Sequence, residues 1–124
     1  MQRLLFIGLA GAAGTLMRYW LAEAIAQRFS ERFPIGTVVV NLVGCFFVGV
    51  LFYLMFDRFV VSPTVRMIVL IGLLGGFTTF SSYGLQTFTL LRAGEIGLAL
   101  LNMAVSNAGG LLMVWLGYSL AKVV

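Results

Sequence analysis

Histidine is absent from this sequence, cysteine occurs once, and only four of the 124 residues are acidic. With no imidazole and Cys45 alone, a structural or catalytic zinc site is not expected, and no disulfide can close within the chain. Acid–base catalysis also lacks its usual groups, since no two carboxylates are paired. The chain is therefore not expected to be an enzyme. Glu23 stands near the end of an apolar run, and Glu31, Asp57 and Glu95 stand in polar joints. No acid lies deep in an apolar run, which speaks against proton-coupled carriers and exporters of organic cations, because these need a membrane carboxylate. The eight basic residues form no cluster, so nucleic acid is not an expected partner.

What fills the chain is apolar. It is 61% hydrophobic and 10% charged, with a net charge of +4, and its mean hydropathy is +1.08. A soluble domain of this size would not cover that much apolar surface, so the chain reads as an integral membrane protein. The stretch "MQRLLFIGLAGAAG" begins like a signal peptide. Apolar character continues through Trp20 to Ala26, however, which is too long for an h-region. A spanning helix needs about 20 mostly apolar residues. Four stretches satisfy this, at about 4–26, 37–56, 65–91 and 96–121. The joints "QRFSERFP", "DRFVVSP" and "RAGE" are short, so neighbouring spans run antiparallel. Pro34 and Pro63 sit where a helix starts or stops at little cost. The expected fold is all-α, with residues 1–124 forming one transmembrane domain of four helices.

Lys/Arg counts usually orient such a bundle. Arg3, Arg58, Arg66 and Lys122 fall on one side, and Arg28, Arg32 and Arg92 on the other. Four against three leaves two readings: a single residue or the translocation context decides, or the chain inserts both ways and pairs with an inverted copy of itself. Small residues recur on the spans, at Gly8, Gly11, Gly14 and Thr15, at Gly44 and Gly49, and at Gly109, Gly110 and Gly117. They let helix backbones approach closely, which drives association in lipid. Together they offer more contact surface than one four-helix bundle needs, so an oligomer is expected.

Polar residues within the spans are few. Arg18 lies about 21 Å along the first span from Leu4 at 1.5 Å per residue, beyond the middle of a ~30 Å core. It either snorkels to the nearer surface, pairing with Glu23, or stands at the mouth of an aqueous vestibule where its charge draws in anions. Asn41 lies about a turn into the second span. Asn102 and Ser106 share a face of the fourth, with Asn107 beside them. Each is either interhelical glue, worth about 0.6 kcal/mol, or part of a track of hydrogen-bond donors.

The third span carries "GLLGGFTTFSSYG" near its midpoint. Glycine costs about 1 kcal/mol relative to alanine in a helix centre, and Ser and Thr hydroxyls compete for backbone groups. A helix broken at its middle is expected. Such breaks are tolerated where protein or water covers the freed groups, and they serve as ion sites. Phe80 and Tyr83 are three apart on one face. Their ring edges carry the positive part of the quadrupole and suit contact with a partly dehydrated anion.

At these residues the chain resembles the Fluc fluoride channels, also called CrcB, along its whole length. The first-span arginine is matched by Arg18. The opening of the second span is matched by "GTVVVNLVG" with Asn41, and the third-span signature GG-x-TTFSTF by "GGFTTFSSY". The resemblance implies an inverted, dual-topology antiparallel homodimer with two pores in the cell inner membrane. It implies passive export of fluoride that relieves fluoride toxicity. It also implies a structural sodium ion at the dimer centre, held by backbone carbonyls that map to Gly75 and Thr78. The pore aromatics map to Phe80 and Tyr83, the second-span asparagine to Asn41, and the fourth-span polar position to Ser106. The sequence departs from the pattern at Tyr83 (phenylalanine), Gly84 (serine), Gln86 (glutamate) and Gly110 (serine). Asn41, Thr79, Ser81, Tyr83 and Ser106 are the candidate fluoride donors. The alternative is a four-span exporter of the small multidrug-resistance type, whose deep first-span acid has no counterpart beyond Glu23.

Overall fold

A computed structural model describes residues 1–29 and 32–124. Ser30 and Glu31, placed by sequence in the first joint, lie outside the described residues. Those described are all helical apart from short joints, and four helices are long and apolar enough to cross a membrane. They are α1 (Gln2–Ala26), α2 (Ile35–Arg58), a third span over Pro63–Arg92, and α5 (Ile96–Val123). The third span divides into α3 (residues 63–77) and α4 (Phe80–Arg92), and Thr78 and Thr79 between them have extended backbone. The four spans end within two residues of the bounds read from sequence. This is a multi-pass membrane protein.

The joints follow local chemistry. Pro34 precedes α2. Ser62 accepts from the Val65 amide and caps α3 with Pro63 in its first turn. After α4, the Glu95 amide bonds to the Leu90 carbonyl and the Gly94 amide to that of Leu91. This is a Schellman stop, and its left-handed residue is Gly94 at φ 74°. The Arg32–Glu95 ion pair, at 2.6 Å, joins the first and third joints at one end of the bundle. At the other end the Tyr118 hydroxyl donates to Asp57 at 2.7 Å.

Helix contacts rest on glycine. A Cβ at Gly49 would strike the Val114 carbonyl of α5, and one at Gly117 the Phe46 carbonyl of α2. The two backbones therefore meet without side chains between them. At Gly14, α1 approaches the Leu73 carbonyl of α3 in the same way. The buried apolar set is small, comprising Val38, Val40, Met55, Leu74, Phe77, Leu90 and Ala99. Most large apolar side chains point outward, as lipid or partner contact requires.

Candidate functional site

The site is built around the two extended residues. In a continuous helix the Thr79 amide would close onto the Gly75 carbonyl, and the Ser82 amide onto that of Thr78. Here the Thr79 amide donates to Asn41 Oδ1 at 2.8 Å, and Asn41 Nδ2 returns a bond to the Thr79 carbonyl at 3.0 Å. The Ser82 amide donates to Thr79 Oγ1 at 3.2 Å, an N-cap for α4. Asn41 thus stitches α2 to the interruption like a neighbouring strand, and the carbonyls of Gly75 and Thr78 lose their helical donors. The Thr78 hydroxyl donates back to the Leu74 carbonyl at 3.0 Å.

Two cavities meet at Thr79. One, of about 270 Å³, is lined by Thr15, Arg18, Tyr19, Thr37, Thr79 and Ser82. Arg18 is its one charged group, and among the described residues Arg18 makes no ion pair. The pairing with Glu23 is not formed; Glu23 instead accepts from Gln27 at 3.3 Å. A neighbouring cavity of about 290 Å³ continues toward the first joint past Thr37, Glu23 and Gln86. Gln86 donates to the Thr37 hydroxyl at 2.9 Å, while its Oε1 is buried with no partner among the described residues.

On the far side of Thr79 lies a cavity of about 260 Å³, lined by Asn41, Thr79, Phe80, Tyr83, Ser106 and Asn107 among others. The Phe80 and Tyr83 rings lie 5.3 Å apart at 49°, and Phe80 is 79% exposed in the single protomer. The Tyr83 hydroxyl accepts from Asn107 at 3.0 Å. Ser106 donates to Asn102 at 3.2 Å, Asn102 to Thr87 at 2.9 Å, and Thr87 to the Tyr83 carbonyl at 2.8 Å. Asn102, 1% exposed, is the centre of that chain. Tyr83 and Thr87 are four apart on α4, whereas their partners Asn107 and Asn102 are five apart on α5. A wide i→i+5 turn over Val105–Gly109 absorbs the extra residue and keeps both amides facing α4.

Of the residues read from sequence, Asn41, Thr79, Phe80, Tyr83 and Ser106 gather around one cavity, and Arg18 shares Thr79 with them from the other side. The Ser81 hydroxyl lies 3.3 Å from that of Thr79 and lines neither cavity. Gly75 and Thr78 sit together at the interruption. Sequence reading passed over Ser82, which faces Arg18, and the pairing of Asn107 with Tyr83. The second was within reach of helix register, given that α4 and α5 are antiparallel across a three-residue turn. A further cavity, of about 640 Å³, is walled almost wholly by apolar surface from side chains such as Met17, Trp20, Phe47 and Phe77 and holds no charged group.

The chain is similar to known proteins along almost its whole length. A protein named fluoride-specific ion channel FluC from Solibacter usitatus is 42% identical over 121 residues, covering 98% of this chain and 99% of its own. One so named from Aquifex aeolicus is 40% identical over 116 residues, 94% of each chain. One from Citrifermentans bemidjiense is 39% identical over 122 residues, 98% of each. The family model described as CrcB-like protein, Camphor Resistance (CrcB), matches residues 5–118, from the first apolar turn of α1 almost to the end of α5. With both the interruption and its flanking spans inside that match, the chain belongs to the CrcB family.

Proposed function

We propose that this chain is a fluoride-selective ion channel that passes fluoride passively across the membrane, and that it works as an inverted homodimer in the cell inner membrane. Export down the gradient would relieve fluoride toxicity. The observation that carries this reading is the meeting of two cavities at Thr79, one headed by an arginine that forms no ion pair and the other by two aromatic rings. Arg18 concentrates anions in its own cavity. The other presents ring edges and hydrogen-bond donors to an ion that has shed part of its water. Asn41 belongs to this path with Phe80 and Tyr83; Thr79 and Ser106 wall it with their protons given to Ser82 and Asn102, and Ser81 lines neither cavity. Membership of a channel family and the absence of a deep acid both favour a channel over the cation exporter.

The interruption of the third span would serve as the dimer centre. The Gly75 and Thr78 carbonyls have been released from helical bonding and are hard oxygen donors, which suits a sodium ion. Two copies meeting there would contribute both carbonyls each, and the ion would hold the interruptions together.

The test is fluoride efflux from liposomes, read with a fluoride electrode and repeated with chloride. Rapid fluoride release with little chloride release is expected. Equal passage of both ions would overturn the selectivity, and Phe80→Ile without effect on flux would remove the aromatics from the path.

A further inference from the structure

We infer that Asn107 is a positioning residue that turns the Tyr83 hydroxyl into a dedicated anion donor, so that at this position the O–H replaces the ring edge as the contact with the ion. The inference rests on the channel reading above and concerns how this particular chain completes the cavity beside Phe80.

The Asn107 amide nitrogen lies 2.7 Å from the Met103 carbonyl and 3.0 Å from the Tyr83 hydroxyl. A carbonyl only accepts, so the nitrogen faces Met103 and the amide cannot be turned the other way. Its two N–H groups then serve two acceptors, one being the phenol oxygen. A phenol that accepts one hydrogen bond keeps its own proton to give, and accepting strengthens that donor. Among the described residues the Tyr83 O–H has no acceptor. Tyr83 lines the same cavity as Asn41, Thr79 and Phe80. Its ring is held against Phe80, 5.3 Å between centroids. From above, the backbone of Tyr83 is held by Thr87 and through it by Asn102. Ring, backbone and hydroxyl oxygen are all held, leaving one proton free to donate.

Phenylalanine could not use this arrangement, and Asn107 would have nothing to hold. The two positions are therefore coupled, and a double-mutant cycle reads the coupling. Fluoride efflux is measured for Asn107→Leu in the native chain and in the Tyr83→Phe background, with size-exclusion profiles confirming folding. Asn107→Leu is expected to slow efflux about five- to tenfold in the native chain, the effect of one lost hydrogen bond. In the Tyr83→Phe background it is expected to change efflux by less than about twofold. Equal losses in both backgrounds, or no loss in the native chain, would overturn the inference while leaving the channel intact. If Asn107→Leu does not fold, Asn107→Thr carries the same test, since threonine keeps the bond to Met103 but is too short to reach Tyr83. A native chain that passes no fluoride would sink the channel reading itself and this inference with it.

Discussion

Replacing Asn41 separates two roles that the sequence left together, interhelical staple and anion donor. Its two bonds to Thr79 measure 2.8 and 3.0 Å. Side-chain hydrogen bonds within membranes average about 0.6 kcal/mol, so losing two sets a floor of about 1.2 kcal/mol. A buried backbone group left unpaired costs about 1–3 kcal/mol, which sets a ceiling of about 6 kcal/mol for the amide and carbonyl together. Water decides between these limits. Thr79 borders cavities of about 260 and 270 Å³, and both can hold water. Asn41→Ala opens space through which water reaches Thr79, so its cost should lie near the floor. Asn41→Leu fills that space with apolar atoms, so its cost should lie near the ceiling. Denaturant unfolding in detergent micelles should therefore rank native above Ala above Leu, the reverse of the order an apolar core would give. If Leu is as stable as Ala or more so, Asn41 is not a backbone staple. If neither variant loses stability but both lose fluoride flux, Asn41 acts on the ion directly.

Two further outcomes follow from the same geometry. Gly14→Ala and Gly117→Ala each drive a Cβ into a facing carbonyl, whereas a Cβ at Gly8 meets nothing within 4 Å. The first two should lower the detergent melting temperature or abolish folding, and Gly8→Ala should leave it unchanged; equal behaviour of all three would refute the close approach. Arg18→Gln should reduce fluoride flux on the order of tenfold at low ionic strength, and the loss should shrink at about 1 M salt, where the screening length falls to about 3 Å. A loss independent of salt would mean that Arg18 supports packing and not anion entry.

The architecture was largely legible because the membrane imposes it. Four apolar runs of the right length and three short joints leave little choice of secondary structure. Pro34 and Pro63 fall at helix starts, and Gly94 at a helix end, as their backbone chemistry predicts. The third span was legible in a different way. "GGFTTFSSYG" announces a poor helix, but not which partner rescues it. Only the fold puts Asn41, 38 residues earlier, beside Thr79. The same holds for Gln86 and Thr37, joined across 49 residues. Arg18 left two readings in the sequence because an arginine that snorkels and one that heads a cavity look alike there. In the fold Glu23 accepts from Gln27 and Arg18 lines a cavity with Ser82.

Residue type also misleads about which groups are free to meet an anion. The hydroxyls and amides along α4 and α5 read as a donor track, yet most of their protons are committed. The Thr79 proton goes to Ser82, that of Ser106 to Asn102, and that of Thr87 to the Tyr83 carbonyl. An oxygen whose proton is given away shows a cavity only lone pairs, which repel fluoride. Among the described residues the donors without an acceptor include the Arg18 guanidinium and the Tyr19, Thr37 and Ser82 hydroxyls on one side of Thr79, and the Tyr83 hydroxyl and the second Asn41 N–H on the other. Fluoride is smaller and more strongly hydrated than chloride, so it gains more from a few short, fixed donors than from many mobile ones. The committed groups then have a purpose without touching the ion. They hold the interruption open, fix the Tyr83 backbone, and leave the free protons facing the two cavities that Thr79 divides.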